Sequence, residues 1–201
     1  MPVVTRLTAG KRDPSRVNVY LDESYSFSLS ADLVLASGLK KGVSLTQAQL
    51  DTYKVKSTGE KVFGKILNFL SYRPRATREV RDRLLLYLKD FEDQESITKL
   101  TLSRLDSLGY LSDLEFAKWF VESRNKSRPR SVRALSYELY HKGISKEIIS
   151  QVLQELGSDK SALELIIEKK QHLPPDKLMA YLARQGFPYE LIKKALASRL
   201  K

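Results

Sequence analysis

The tripeptide Arg-Pro-Arg occurs twice, at residues 73–75 and 128–130, and each copy is followed at the same offset by another arginine, Arg78 or Arg133. We call residues 73–78 and 128–133 the two boxes. Proline lacks an N–H and has a pre-set φ, so each box predicts the start of a helix. Cations oppose the positive end of the helix dipole, where Ser, Asp or Glu would be favoured. The boxes therefore indicate an internal repeat and a negatively charged partner.

The second box offers the cleaner contact surface. In a helix over residues 131–142, Val132, Leu135 and Leu139 share one face, and the cationic and aromatic residues lie opposite. Guanidinium groups bind phosphate or carboxylate in a bidentate manner, and tyrosine can stack on bases or fill a protein pocket. The alternative is a solvated basic face with tyrosines resting on neighbouring helices. The outward-facing residues are Arg130, Arg133, Tyr137, Tyr140 and His141.

The arginines of the first box lie among acids, since Glu79 and Asp82 follow closely. We expect some of them to be held in local ion pairs. A third, similar unit has no box, because Leu173-Pro174-Pro175-Asp176 stands in its place. The predicted residues for binding the negatively charged partner are Arg124, Lys126, Arg128, Arg130, Arg133, Tyr137, Arg73, Arg75 and Arg78.

Residues for catalysis are not arranged in any recognisable pattern. The two histidines, His141 and His172, have no acidic residue at a spacing typical of a metal site or a catalytic triad. No phosphate-binding glycine motif occurs, and the acidic residues of segment 90–95 are more typical of a solvated loop. Aromatic residues at 116, 119 and 120 have core spacing. We expect no enzyme activity, no cofactor and no metal.

The composition favours an anionic partner. The 201 residues include 35 Lys and Arg against 24 Asp and Glu, a net charge of +11, and residues 61–147 hold 18 of the basic and 12 of the acidic side chains. Cysteine is absent, which fits a reducing cytoplasm. No signal-peptide core and no run of about 18 apolar residues is present. We therefore expect a cytoplasmic protein without a membrane segment.

Periodicity predicts a mostly α fold, with three tandem three-helix repeats of helix-turn-helix type preceded by a small cap of a β-hairpin and short helices. Strands are predicted at 3–7, 17–21 and 25–29, and short helices to residue 36 and over 45–53 under a Ser44 cap. Residues 54–61 read either as a linker or as the start of the next helix. The repeat helices are predicted at 61–71, 75–89, 95–108, 113–125, 131–142, 146–156, 161–171, 176–185 and 189–200. The predicted domains are 1–56, 57–111, 112–157 and 158–201.

The three repeats share a helix end that reads Leu-x-x-x-Gly-apolar, with glycine in the left-handed position after the helix. It occurs around Gly109, Gly143 and Gly186, whereas Asp90 stands where the first box helix should have its glycine. Together with Phe69-Leu70-Ser71-Tyr72-Arg73-Pro74-Arg75, these pieces resemble the RecX family of RecA regulators in order and spacing. The resemblance covers about residues 60–200, and the segment 20–28 is similar to the N-terminal hairpin of longer members.

The resemblance implies a monomeric, non-enzymatic regulator of DNA repair, recombination and the SOS response. Such a protein would lie along the groove of a RecA filament on single-stranded DNA and inhibit ATP hydrolysis and strand exchange. The predicted binding residues would then contact RecA or nucleic acid. The residues alone leave a second hypothesis open, an autonomous DNA-binding repeat protein whose arginine-rich helices contact phosphates.

Overall fold

The computed structural model describes residues 1–11, 13–156 and 158–197. Two compact units can be distinguished by their internal contacts. The N-terminal unit contains residues 1–72 and 81–107, and the C-terminal unit contains residues 73–80 and the chain from residue 108 onward. The first box is thus grouped with the second and third repeats.

The N-terminal unit begins with a three-stranded antiparallel sheet in the order β1 (Val4–Ala9), β2 (Arg16–Leu21) and β3 (Ser24–Ser30). The predicted hairpin is its β2–β3 half. Asp22 and Glu23 form the two-residue turn with φ of 47° and 67°, as the twist of a tight hairpin requires. Helix α1 (Ala31–Ala36) follows, capped by Ser30 as predicted.

Helix α2 (Gln47–Ser71) corrects the prediction of two separate helices over 45–53 and 61–71. It begins after Thr46 rather than Ser44, because Thr46 and Gln49 form a reciprocal capping box. Residues 54–61 are helical, so the linker alternative is wrong. Their small residues make an interface instead, since the buried Ser57 Oγ accepts a hydrogen bond from Ser28 N of β3 at 3.3 Å.

The other helices follow the predicted three-helix repeats closely, and the mostly α fold is confirmed. The boundary predicted between residues 56 and 57 falls inside α2, and the domain boundaries remain predictions. The helices are α3 (Thr77–Tyr87), α4 (Gln94–Ser107), α5 (Asp113–Ser127), α6 (Val132–His141), α7 (Lys146–Leu156), α8 (Lys160–Lys169), α9 (Pro175–Arg184) and α10 (Tyr189–Ala197). The predicted end of the last helix, residues 198–200, lies outside the described residues.

Two corrections concern the box helices. The arginines of the first box do not fill the first turn of a helix, because α3 begins at Thr77 and only Arg78 lies within it. The predicted continuation of this helix to residue 89 is also wrong, since residues 88–90 form turns closed by a hydrogen bond from Phe91 N to Leu88 O at 2.9 Å. Asp90 therefore does not take the left-handed conformation that a glycine would provide there.

The predicted turn glycines are confirmed. Gly109, Gly143 and Gly186 have φ of 72°, 84° and 89°. After Gly143, Ile144 N donates to Leu139 O at 3.2 Å and the Ile144 side chain is buried, as in a Schellman motif. Gly143 and Gly186 thereby reverse the chain so that the third helix of a repeat packs on the second.

The second repeat has its own apolar core, which includes Phe116, Phe120, Leu135 and Leu139, with Trp119 partly buried against it. The prediction that these aromatic residues serve packing is confirmed. A separate core in the third repeat centres on Leu163, Leu182 and Ile192 among other residues. No helix in the described part of the chain is both long enough and apolar enough to cross a membrane.

Candidate partner-binding surface

The first N–H group of each box helix is bound by an acid from the following repeat. At the start of α3, Thr77 N donates to Asp113 Oδ1 at 2.8 Å. At the equivalent place in α6, Val132 N donates to Asp159 Oδ1 at 2.6 Å. A carboxylate is the preferred group at a positive helix end. Acidic residues of the protein itself therefore supply part of the negative charge that the boxes are predicted to need.

The first box is held by a half-buried carboxylate. Glu79 accepts two hydrogen bonds from Arg73, at 3.1 and 3.3 Å, and one from Lys142 Nζ at 2.9 Å. Burial alone would raise the pKa of Glu79, but these hydrogen bonds and the two cations outweigh it and lower the pKa. Arg73 also lies over the Trp119 ring, 5.0 Å from its centroid. This arginine is thus engaged within the chain.

The other two predicted residues of the first box differ in exposure. Arg75 is half-buried, whereas Arg78 is exposed. The stem of Arg78 packs against the turn of the second repeat, where a Cβ on Gly143 would lie 2.8 Å from its Cδ.

The second box is held by the third repeat. Arg130 NH1 donates to Gln185 Oε1 at 2.6 Å, and Ser131 Oγ donates to Gln185 O at 3.1 Å. Glu138 pairs with Arg124 Nε at 2.8 Å and with Arg130 Nε at 3.6 Å. Two of the predicted binding residues, Arg124 and Arg130, therefore have acidic or amide partners on the protein itself.

These contacts attach each box segment to the repeat that follows it. We call the two equivalent attachments joints. In each joint, a box residue approaches the turn glycine of the next repeat, Arg78 at Gly143 and Ser131 at Gly186. The residue before each glycine also binds there, Lys142 to Glu79 just after the first box and Gln185 to Arg130 within the second. In each joint, an aspartate at the start of the next repeat caps the box helix.

The remaining predicted residues of the second repeat are exposed, and Arg133 and Tyr137 share one surface along α6. Arg128 precedes α6, and Arg133 and Tyr137 lie along it, with Tyr137 65% exposed. Lys126 pairs with Glu122 at 2.6 Å, but both side chains are mainly solvent-exposed, and such pairs contribute little. The prediction that the apolar and basic faces of α6 separate is confirmed, since Leu135 and Leu139 are fully buried.

A groove of about 1000 Å³ runs along this surface between α6 and α7. Arg133, Tyr137 and Tyr140 line one side, and Lys146 and Ile149 line the other. The apolar floor and cationic rim suit a ligand that carries both apolar groups and negative charge. Tyr140 and Lys146 are absent from the predicted binding residues. The sequence feature that points to these two residues is the Gly143 turn, because this turn brings α7 back beside α6.

In the described part of the chain, no group of three or more His, Asp or Glu residues is arranged so that it could hold a metal ion. The fold and the surface define the class of protein: a helical repeat protein of helix-turn-helix type with a basic, aromatic groove in its second repeat.

Comparison with known proteins identifies the family. Residues 2–46 match the family model for the N-terminal domain of regulatory protein RecX, and residues 112–153 match that for the second three-helix domain of RecX. The regulatory protein RecX of Listeria monocytogenes serotype 4a is 32% identical over 96% of this chain and 74% of its own length. The regulatory protein RecX of Bacillus subtilis strain 168 is 30% identical over 98% of this chain and 76% of its own length. This chain belongs to the RecX family of regulatory proteins.

Solved structures share the fold. A crystal structure of regulatory protein RecX superposes with a TM-score of 0.71 at 20% identity and covers 96% of this chain and 98% of its own. The crystal structure of RecX from Lactobacillus salivarius superposes with a TM-score of 0.55 at 22% identity, and covers 70% of this chain and 96% of its own. At these identities the likeness extends to the architecture alone.

Proposed function

We propose that this protein regulates a RecA recombinase by binding in the groove of the RecA filament on single-stranded DNA, and that it inhibits ATP hydrolysis and strand exchange. Membership of a family of regulatory proteins supports a role in regulation. A surplus of eleven positive charges suits a filament that exposes DNA phosphates and acidic side chains. In this proposal the protein acts by binding, without catalysis, as a monomer in the cytoplasm.

The observation that carries the proposal is the surface along the α6–α7 groove. Among the described residues, Arg128 and Arg133 form no ion pair, and Tyr137 and Tyr140, 65% and 59% exposed, line the groove together with Arg133. Exposed guanidinium groups next to aromatic rings are typical of binding surfaces. A purely structural surface gains nothing from leaving two large aromatic side chains this open to water. We do not assign contacts with the groove to the other predicted cations, which are Lys126, Arg73, Arg75, Arg78, Arg124 and Arg130.

The test is the ATPase activity of RecA on single-stranded DNA, measured with increasing amounts of the protein. Wild type should suppress the activity, and the double variant Arg133→Met, Tyr137→Ala should need at least about tenfold more protein, which corresponds to about 1.4 kcal/mol of lost binding energy. Lys193→Met is the matched control, because Lys193 is an exposed cation on α10 of the same unit. Equal suppression by the double variant and the control would refute the surface assignment.

Autonomous DNA binding is the second candidate, and the exposed Tyr137 and Tyr140 beside Arg133 favour it. Bases can stack on such rings while the arginine contacts phosphate. This function predicts tight binding to naked DNA that weakens steeply with salt, because phosphate contacts release counterions. If filament binding persists at a salt concentration that abolishes binding to naked DNA, DNA binding alone does not explain the protein.

A further inference from the structure

We propose that Arg130 is a positioning residue, which acts through Gln185 to hold the contact surface of the second repeat and does not itself contact the filament. The inference rests on the proposed function, because it concerns how that surface is presented. It reassigns a box arginine that the sequence marks as a contact.

The guanidinium group of Arg130 has partners within the protein. NH1 donates to Gln185 Oε1 at 2.6 Å, and Nε lies 3.6 Å from Glu138 Oε1 without forming a hydrogen bond. Only 30% of the side chain is exposed. If Arg130 turned towards a partner, it would lose the hydrogen bond to Gln185 and leave Glu138 paired with Arg124 alone, a loss that a new contact would first have to offset.

The backbone beside Arg130 is held by the same repeat. Ser131 is fully buried and donates to Gln185 O at 3.1 Å, and Val132 N donates to Asp159 at 2.6 Å. Three consecutive residues, 130–132, are therefore attached to the third repeat. Arg128 and Arg133 flank this stretch on either side, so the joint determines the direction in which both exposed arginines point.

The first joint shows that this place in the repeat serves attachment. There the residue before the turn glycine is Lys142, which binds Glu79 next to the first box. In the second joint the corresponding residue is Gln185, which binds Arg130. The residue before the turn glycine has the same place in both joints, although its partners, Glu79 and Arg130, lie at different places relative to the box. A position that exists to hold neighbouring repeats together explains this pattern, because only a complementary pair is required there.

A double-mutant cycle with Arg130→Met and Gln185→Ala tests the inference. Binding is measured by fluorescence anisotropy with a RecA filament formed on a fluorescein-labelled oligo-dT strand, at several salt concentrations and well below the Tm of each variant. Arg133→Met is the matched control, since it removes a neighbouring guanidinium group that lies outside the joint. Each single variant of the cycle should weaken binding by about three- to tenfold, as expected when one charge-assisted hydrogen bond is lost and part of its effect is transmitted.

The outcomes separate a positioning role from a contact. A positioning role predicts that the double variant binds no more weakly than Arg130→Met, and that the salt dependence matches wild type. Arg133→Met should weaken binding and also flatten the salt dependence, because a direct contact with the filament is lost. Three results would overturn the inference and leave the proposed function intact. They are additive effects in the cycle, a flattened salt dependence in Arg130→Met, and wild-type binding by Arg130→Met and Gln185→Ala. Wild-type binding by Arg133→Met would overturn the proposed contact surface, and the inference with it.

Discussion

Replacing Gly186 by alanine should destabilise the C-terminal unit by about 3 kcal/mol, through left-handed backbone strain, overpacking and a weakened cap. The glycine has φ of 89°, and a Cβ built on it would lie 2.6 Å from Ser131 Oγ and 3.4 Å from the Cβ of Ala134. Ser131 Oγ cannot easily move away. It donates to Gln185 O and accepts from Ala134 N at the start of α6.

Three contributions make up this value. The left-handed conformation costs a residue with a Cβ about 1–2 kcal/mol, and the lower entropy of the unfolded alanine chain offsets about 0.4–1 kcal/mol of that cost. Overpacking of a filled site adds about 1–3 kcal/mol. Displacement of the Ser131 hydroxyl weakens a helix cap that is worth about 1 kcal/mol. The conformational part alone is therefore about 1 kcal/mol, and the joint accounts for the remainder.

Gly109→Ala is the matched control, because Gly109 has φ of 72° in the same unit, but a Cβ built on it would meet no atom of the described residues within 4 Å. It should cost only the conformational part, about 1 kcal/mol. Urea unfolding is followed by the fluorescence of Trp119, the single tryptophan, which packs on the core of the second repeat. This signal reports the unit that contains both glycines.

The reasoning fails if Gly186→Ala and Gly109→Ala destabilise the unit equally. A second check uses Ser131→Ala, which removes the atom that clashes but also removes the cap. The double variant Ser131→Ala, Gly186→Ala should be less destabilised than the sum of the two single variants, by about 1–2 kcal/mol. Strict additivity would show that the added methyl group does not meet the Ser131 hydroxyl.

Three further predictions concern single polar contacts. Because the pKa of Glu79 is lowered in the folded state, its contribution is present above its unfolded pKa of about 4.3 and is lost as the pH falls through the lower folded value. Glu79→Gln should be less stable than wild type at pH 7 in urea unfolding, and the gap should close in acid; a gap that is constant with pH would contradict this. Asp159→Ala should cost about 1 kcal/mol and Asp159→Asn much less, since asparagine keeps an acceptor for Val132 N; equal losses would exclude the cap. Ser57→Ala should lower the Tm measured by circular dichroism, because Ser28 N is left buried without an acceptor at a cost of about 1–3 kcal/mol, and an unchanged Tm would count against it.

Local patterns predict the elements of this fold because each element is determined by nearby residues. The apolar spacing of α6 and its Ser131 cap lie within a dozen residues, and the predicted helix agrees with the structure to within one residue at each end. The turn glycines are likewise predictable, because the left-handed conformation is adopted by their own backbone. Where the sequence leaves two interpretations open, in residues 54–61, the decisive partner is distant. Ser57 lies in helix α2 and accepts a hydrogen bond from the backbone N–H of Ser28, a residue of the sheet.

The candidate partner-binding surface is harder to predict for the same reason. The sequence shows that Arg124 and Arg130 are cations on a helix-turn-helix unit, but it does not show that Glu138 lies between them or that Gln185, 55 residues away, binds one of them. The sequence suggests that the box arginines oppose a helix dipole and need negative charge, but only Arg78 and Arg133 lie within the helices that follow the boxes. The carboxylates that meet this need at the backbone are Asp113 and Asp159, each contributed by the next repeat.

The third repeat has no box. Its second helix, α9, begins at Pro175 and carries Asp176 in its own first turn, where an acid suits the helix dipole. Helix α3 likewise carries Glu79 there, whereas the first turn of α6 has no acid. The two helices that follow a box obtain an aspartate from the next repeat, and several of their arginines bind acids or amides near the junction with that repeat. Each box therefore occurs together with an aspartate from the next repeat, as expected if the box serves to attach one repeat to the next. The exposed Arg128 and Arg133 flank the attached residues 130–132, and under our proposal this attachment sets the orientation of their surface.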